Sequence, residues 1–307
     1  MLTIALGIAK GSVLDWDHQI HRDSFVGRWP FMTVQFKGAT AIVTGGASGI
    51  GRSIVRALVA RGVRVVIADI DANGAGTEAS ALRAQGHEVT SEEVNVADFD
   101  AVDRLVGDVE GRWGQVDFLF NNAGIVYIGD LLDMPDDAWR RTMDVNLWGV
   151  INGVRAAYPR MVRRGSGCIV NTASIAGLAP SPGFTIYSTS KHAVVGLSQS
   201  LRGEGRKNGV QVNVLCPGVV STPMVTNANF AGIDGRGATA ELRDRTPFAE
   251  PDRVASDLMN GVARDKAVIV SPSSARFAMS VLRYFPFAGE LFADKFMERI
   301  SAYRTTK

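Results

Sequence analysis

The chain has few cysteines, little net charge and no long apolar run, and each absence excludes a class of protein. Its 307 residues include two cysteines, Cys168 and Cys216, and carry a formal charge of +2. Both cysteines lie in predicted core strands, which favours buried reduced thiols and a cytoplasmic location. Near-neutral charge gives no indication of nucleic acid or an anionic membrane as a partner. No apolar run is long enough for a transmembrane segment.

Residues 1–31 stand apart from the rest as an N-terminal extension. They lack a basic region followed by a sustained apolar stretch, so we expect no secretory signal. Met32 is a candidate start, and the extension is expected to be flexible. His18 and His21 could share a helix face, but we predict no metal site because the chemistry inferred below needs none.

Short apolar runs alternate with helix-like stretches through the remainder of the chain. Such alternation predicts one α/β, doubly wound domain with a parallel sheet of about seven strands and helices on both faces. With 46% hydrophobic residues, the chain can fill one large core. The predicted strands are TAIVT, VRVVIAD, HEVTSEEVNV, VDFLFN, GCIVNTAS, VQVNVLCP and AVIVSP.

A glycine-rich turn follows the first predicted strand. Gly45, Ser48, Gly49, Ile50 and Gly51 lie between TAIVT and a stretch with apolar residues at helical spacing. Glycines allow a phosphate to approach the backbone, and the N–H groups at a helix N-terminus attract its charge. The turn therefore predicts a site for a nucleotide pyrophosphate.

Asp69 ends the second predicted strand. A carboxylate there can accept hydrogen bonds from ribose hydroxyls and would repel a 2′-phosphate. Ser48 and Ile70 stand where a phosphate-binding cation could lie, and we interpret Arg52 as a polar residue in the first helical turn. We therefore predict NAD as cofactor and regard NADP as the less favoured alternative.

Tyr187 and Lys191, in YSTSK, lie four residues apart and would share a helix face. Tyrosine is ordinarily a weak base, with a pKa of about 10. A lysine beside it would favour the phenolate and improve the phenol as a general acid or base. Ser174, upstream, could hydrogen-bond the same substrate oxygen.

From about residue 37 to about residue 223 the chain resembles the short-chain dehydrogenase/reductase family, which has a Rossmann-like fold. The motifs that carry the resemblance are TGGASGIG, NNAG, Asn146, the Ser174, Tyr187 and Lys191 group, and CPGVVSTP. The resemblance implies that Asn146 holds a water beside Lys191 and that Lys191 also binds the nicotinamide ribose. It further implies cofactor contacts from Asn95, Val96, Asn122, Ala123, Gly124, Pro217, Gly218, Val220 and Thr222.

Asn95 departs from the family pattern because an aspartate is usual there. Its amide oxygen could still accept the adenine hydrogen bond, so we expect adenine binding to be weaker at most. The resemblance also implies a homodimer or homotetramer formed through the helices that carry Asn146 and Tyr187.

The catalytic domain is predicted to span residues 32–275, with a substrate lid at about 223–250. Residues 276–307 are predicted to form a helical extension that packs on the same domain, with an aromatic stripe of Phe277, Leu282, Phe285, Phe287, Phe292 and Phe296. Apolar residues after Ser174, together with Met224 and Phe230 in the lid, favour a lipophilic secondary alcohol or ketone as substrate. The sequence shows no obvious charged anchor for a substrate tail.

The predicted function is NAD-dependent interconversion of such an alcohol and its ketone, with Tyr187 as general acid/base. Three alternative functions make different demands on these residues. An NADP-dependent carbonyl reductase of the same family would differ in cofactor. A methyltransferase has no use for the Ser174, Tyr187 and Lys191 group. A catalytically silent nucleotide-sensing protein often loses a member of that group, and here all are present.

Overall fold

A seven-stranded parallel sheet forms the centre of the computed structural model, which describes residues 34–245, 248–276, 294–295, 297–299 and 302–305. In sheet order the strands are β3, β2, β1, β4, β6, β7 and β9. Their bounds are β1 Thr40–Thr44, β2 Arg64–Asp69, β3 Val89–Glu93, β4 Phe118–Asn121, β6 Gly167–Thr172, β7 Val210–Pro217 and β9 Val268–Ser271. All seven predicted strands are confirmed, and HEVTSEEVNV forms a strand only over Val89–Glu93.

Helices cover both faces of this sheet, as consecutive parallel strands require. One face carries α1 Gly49–Val59, α2 Ala72–Ala84 and α9 Pro251–Ala263. The other carries α3 Phe99–Trp113, α5 Gly149–Arg164 and α6 Thr185–Lys207. The short helix α4, Asp136–Met143, continues through a π-helical turn at Asp144–Trp148 into α5.

The alternation of side chains along the strands divides the core into two layers. Val65 and Ile67 of β2 pack among the helices of one face, whereas Val66 and Ala68 pack among those of the other. A strand buried on both faces has to be apolar at consecutive positions. This explains why RVVIAD has no polar residue between its two ends.

A second, two-stranded parallel sheet lies outside the central one. It pairs β5, Tyr127–Gly129, with β8, Asn229–Ala231. The strand β8 lies between α7, Pro223–Thr226, and α8, Gly235–Arg245, within the segment predicted as a lid. Sequence analysis did not predict this pairing.

Part of the C-terminal extension contacts the segment predicted as a lid. The Asp234 N–H donates to the Tyr303 carbonyl at 2.7 Å, and the Thr305 N–H donates to the Gly232 carbonyl at 3.0 Å. Arg304 forms an ion pair of 3.2 Å with Asp133. The predicted aromatic stripe, residues 1–31 and the pair His18 and His21 lie outside the described residues.

Candidate functional site

Every predicted site residue lies at or near the C-terminal edge of the central sheet, where the loops after its strands meet. The glycine turn follows β1, Asp69 ends β2, and Asn95 follows β3. The NNAG segment follows β4, and Ser174 lies two residues past the end of β6. Ligands of doubly wound folds bind at this edge.

The glycine turn and the NNAG segment are held together by the Thr44 hydroxyl and the Asn122 amide. The Thr44 hydroxyl accepts the backbone N–H of Asn122 at 2.9 Å and that of Ala123 at 3.1 Å. The Asn122 Nδ2 donates to the carbonyls of Thr44 at 3.1 Å and Gly45 at 3.2 Å. Asn122 therefore fixes the turn, a positioning role that Thr44 shares although it was not predicted as a site residue.

The N-terminus of α1 meets the requirements for binding a phosphate. Its N-cap residue, Ser48, forms no side-chain capping hydrogen bond, and its first turn contains no acidic residue. By contrast, the Asp98 carboxylate caps α3 by accepting the N–H groups of Asp100 and Ala101. The first N–H groups of α1 thus have no capping side chain, as an anion site requires.

Close approach of backbone explains why glycines line this turn. Gly45 and Gly49 have positive φ values of 65° and 51°. A Cβ added to Gly51 would clash with the Gly45 carbonyl, and one added to Gly49 would lie 3.1 Å from the Thr222 side chain. The turn and the loop after β7 therefore lie close together, and the region that they border at the edge of the sheet is called the cleft below.

Asp69 contacts the glycine turn directly. Its Oδ2 accepts the Ala47 N–H at 2.9 Å, and its Oδ1 accepts the Asp71 N–H at 3.0 Å. Ile70, beside it, is 69% exposed and brings no positive charge. The carboxylate is thus fixed by the backbone at the edge of the cleft.

The loop after β3 already satisfies several of its polar groups. Asn95 Oδ1 accepts the Ala97 N–H at 3.1 Å, and the Val96 carbonyl accepts Asn152 Nδ2 at 3.0 Å. An amide oxygen retains a second lone pair. Asn95 could therefore accept an adenine N–H only while sharing its oxygen with Ala97.

Ser174, Tyr187 and Lys191 meet in space. Tyr187 and Lys191 lie one turn apart on α6, and the Lys191 Nζ lies 5.6 Å from the centroid of the Tyr187 ring. Ser174 lies close enough to the Tyr187 phenol to lower its pKa, against the effect of burial. Lys191 is 2% exposed, and its Nζ donates to the Thr172 carbonyl at 2.9 Å. The three side chains lie where β6 ends.

Burial shifts the pKa of both ionisable groups toward the neutral form. It raises the pKa of Tyr187 to about 12, against the opposing effect of the Ser174 hydrogen bond. It lowers the pKa of Lys191 to about 8, and the nearby Cys216 thiol opposes this shift. We expected Lys191 to lower the pKa of Tyr187. In the chain alone, desolvation of the phenolate dominates, and the opposing effect comes from Ser174 rather than from Lys191.

Asn146 lies in the π-helical turn, fully buried, and its amide is occupied by protein groups. Its Oδ1 accepts the Ile125 N–H at 2.8 Å. Its Nδ2 donates to the Ile125 carbonyl at 2.9 Å and to Ser190 Oγ at 3.2 Å. The amide thus fixes the segment after Gly124, and the water expected beside Lys191 stays a prediction.

Gly124 lies at the centre of the site. A Cβ added to it would lie 3.2 Å from Asn146 Oδ1, 3.5 Å from Lys191 Nζ and 3.8 Å from Met224 Cε. The NNAG segment, the lysine and the start of the lid therefore surround one small space.

In the loop after β7, some of the residues predicted to contact the cofactor face the cleft and others lie in the core. The Gly218 N–H donates to the Ser271 carbonyl at 2.8 Å. Thr222 faces the glycine turn, as described above, whereas Val220 is buried and packs in the core. The Pro217 carbonyl accepts the Ser174 hydroxyl at 3.5 Å, the outer limit for a hydrogen bond. A contact from Val220 to a ligand would therefore come from its backbone.

An apolar wall lies beside Tyr187. Val126, Ile128 and Ile233 form its buried part, and Phe184, Tyr187, Ala228, Phe230 and Ala238 pack against it. The rings of Phe184 and Tyr187 meet edge to face with their centroids 6.5 Å apart. Sequence analysis missed Phe184, whose only signal was its place three residues before Tyr187.

Comparison with known proteins agrees with this geometry. The family model described as short chain dehydrogenase matches residues 39–231. The chain belongs to the short-chain dehydrogenase family.

Individual members of the family resemble the chain over most of its length. It is 34% identical to SadH, a Mycobacterium tuberculosis protein named as an oxidoreductase, over 80% of this chain and 90% of SadH. It is 37% identical to the Escherichia coli oxidoreductase UcpA over 61% of this chain and 71% of UcpA. A short-chain dehydrogenase/reductase from Burkholderia phymatum, solved in complex with NAD, superimposes with a TM-score of 0.75 at 30% identity, covering 82% of this chain and 95% of its own.

Membership of the short-chain dehydrogenase family makes the chain an oxidoreductase with a Rossmann fold. Across the part of the chain that the structure describes, no helix has both the length and the apolar character needed to span a membrane.

Proposed function

We propose that the chain interconverts a lipophilic secondary alcohol and its ketone with NAD, using Tyr187 as general acid and base. The observation that carries this proposal is the convergence of Ser174, Tyr187 and buried Lys191 at the edge of the sheet that also carries a glycine turn with an uncapped helix N-terminus. A bound nicotinamide would accept or donate the hydride. The residues of the chain would move the proton and orient the substrate.

Tyr187 is protonated in the chain alone, because burial raises its pKa to about 12. It can therefore donate a proton to a ketone oxygen, and in the reverse direction the phenolate would accept the alcohol proton. Ser174 would hydrogen-bond the same oxygen and stabilise its developing charge. Lys191, with a pKa of about 8, retains its proton in most molecules at neutral pH and would support the phenolate.

Two observations support the preference for NAD over NADP. Asp69 is held at the edge of the cleft by the Ala47 N–H, where a carboxylate would accept ribose hydroxyls and repel a 2′-phosphate. The next residue is the exposed Ile70, which offers a phosphate no charge. The NAD complex of the Burkholderia phymatum relative is consistent with this preference.

The apolar wall beside Tyr187 supports a lipophilic substrate. Phe184 and Phe230 present rings in the cluster that contains Tyr187. Burying apolar substrate surface there would contribute about 25 cal/mol per Å² of contact.

We propose, on the family resemblance, that the chain works as a homodimer or homotetramer through the helices that carry Asn146 and Tyr187. Trp148, two residues after Asn146 in the same π-helical turn and 49% exposed, is a candidate for burial in such an interface. Sedimentation of the full chain would test this, and a monomer at working concentration would contradict it.

Replacing Tyr187 with Phe tests the chemistry. We expect Tyr187→Phe to lower kcat by about 10²–10⁴-fold, the usual contribution of general acid/base catalysis, because only the hydroxyl is lost. NADH binding, followed by nicotinamide fluorescence, should stay within a fewfold of the wild-type value. The assay is NADH absorbance with a panel of alicyclic, aromatic and aliphatic secondary alcohols. A fully active variant would contradict the assignment of Tyr187 as the general acid and base.

A further inference from the structure

The lid encloses one side of an open cavity of about 660 Å³. Its walls come from Thr226, Ala228 and Phe230 on one side and from the helix α8 on the other. A volume of this size is typical of sites for small organic molecules.

One face of α8 lines the cavity from end to end. Arg236, Thr239, Ala240 and Arg243 line it, and their spacing of three, four and seven residues places them along a single helix face. The two guanidinium groups therefore flank the cavity about two helical turns apart.

The charges at this cavity do not cancel. Neither Arg236 nor Arg243 forms an ion pair within the part of the chain that the structure describes. Asp234 also lines the cavity, but its carboxylate accepts the N–H groups of Arg236 and Gly237 at 3.0 and 3.3 Å and so caps α8. Two arginines against one carboxylate engaged with backbone leave a positive site, and guanidinium groups pair well with carboxylates and phosphates.

The apolar wall connects this cavity with the proposed catalytic residue. Phe230 lines the cavity, and it also belongs to the cluster in which Phe184 and Tyr187 pack. A ligand could therefore lie along Phe230, with its reacting end toward Tyr187 and its other end at the arginines.

We infer that Arg236 and Arg243 form a subsite for an anionic group, a carboxylate or a phosphate, at the end of the substrate remote from the reacting carbon. This inference rests on the function proposed above and narrows its substrate class to lipophilic alcohols or ketones with an acidic tail. It also changes an expectation from the sequence, where the two arginines are separated by six residues and no charged anchor is evident.

The direct test is binding, which needs no turnover. We would titrate the full chain, saturated with NADH, with octanoate, octyl phosphate and the neutral octanamide by calorimetry. We expect at least one of the two anions to bind about tenfold more tightly than octanamide, and the tighter of the two identifies the group as carboxylate or phosphate. Equal binding of all three, or no binding of either anion, would overturn the inference.

Variants of the two arginines attribute the binding to this site. Arg236→Gln and Arg243→Gln should each weaken anion binding about three- to fivefold, and the double variant about tenfold, with octanamide unaffected. The matched control is Arg163→Gln, since Arg163 is exposed near the end of α5, at the opposite edge of the sheet. An equal loss in the control variant, or none in the double variant, would overturn the inference.

Turnover separates this inference from the proposed function. Hydroxy acids with the alcohol next to the far terminal methyl group, from hexanoic to dodecanoic chain length, would be compared with their methyl esters. A higher kcat/KM for the acids, lost in the double variant, supports both proposals. Turnover of acids and esters at equal rates supports the proposed function and contradicts the subsite. Tight anion binding without turnover of any probe supports the subsite and contradicts the function.

Discussion

The cofactor side and the substrate side of the site are built differently. Around the glycine turn, backbone and short side chains are tied by hydrogen bonds, as Thr44 and Asn122 show. Beside Tyr187, the lid contributes mainly apolar contacts, with Phe230 and Ile233 in one cluster. The hydrogen bonds of the cofactor side fix the backbone in one shape, which suits a ligand that is always the same. The side chains of the substrate side can be exchanged without disturbing the central sheet.

This contrast also explains what sequence analysis could predict. The glycine turn and the NNAG segment could be predicted because each lies within a short stretch of sequence. Their backbone geometry depends on the type of the residues in that stretch. Tyr187 and Lys191 were predicted to share a helix face, and they do. The pairing of β5 with β8 joins segments about a hundred residues apart and has no local signal.

The electrostatics were harder to predict than the placement. The spacing of Lys191 and Tyr187 predicts that they are neighbours on a helix. Their burial, however, depends on the whole fold, and burial determines the direction of both pKa shifts. The alignment of Arg236 and Arg243 on one cavity likewise depends on α8 being a helix with that face toward the cavity. The six residues between the two arginines are of mixed type and give no indication that both arginines line one cavity.

Among substitutions on the cofactor side, we expect Gly51→Ala to have the largest effect on stability and NADH binding. The added methyl group would clash with the Gly45 carbonyl and approach the Asn122 amide, and neither can move without opening the turn. We expect a loss of about 3 kcal/mol in unfolding free energy and no measurable NADH binding. Urea unfolding and nicotinamide fluorescence provide the two measurements.

The control for that variant is Gly111→Ala on α3. A Cβ there would meet nothing within 4 Å, so the substitution should stabilise the helix by about 0.5–1 kcal/mol and leave NADH binding intact. Equal stability of both variants would contradict the close approach of backbone at Gly51.

The buried lysine should make stability depend on pH. Its pKa is lowered from 10.5 to about 8 in the folded chain, so between these values the unfolded chain binds more protons and stability rises with pH. Relative to Lys191→Met, the wild type should gain about 2–3 kcal/mol over this window, with the steepest gain near its middle. Urea unfolding of both proteins across the window measures it. Parallel pH profiles would show that Lys191 is not desolvated.

Asp69→Ala should alter cofactor preference, at a stability cost similar to that of losing a helix cap because two backbone N–H groups lose their acceptor. Removing the carboxylate should lower the ratio of kcat/KM for NAD over NADP by about tenfold, equivalent to about 1.4 kcal/mol. Asp98→Ala is the control, since it removes a helix cap at a cost of about 1 kcal/mol in stability and should leave that ratio unchanged. A wild-type enzyme that already prefers NADP would refute the role given to Asp69.

The smallest effect should come from the substrate side. Phe230→Ala is expected to raise KM for an apolar alcohol about three- to tenfold through lost apolar contact, while NADH affinity stays constant. Leu132→Ala serves as the comparison because Leu132 is 86% exposed outside the apolar wall. If Phe230→Ala weakened NADH binding instead, the division into a cofactor side and a substrate side would be incorrect.

The most direct test of the central claim is a single-turnover experiment on Tyr187→Phe beside the wild type. Each protein would be preloaded with NAD⁺ and mixed with a secondary alcohol that the wild type oxidises, and NADH formation would be followed by absorbance. We predict a burst for the wild type and, for the variant with equal bound cofactor, a rate lower by about 10²–10⁴-fold. An equal burst from the variant would contradict the claim that Tyr187 transfers the proton.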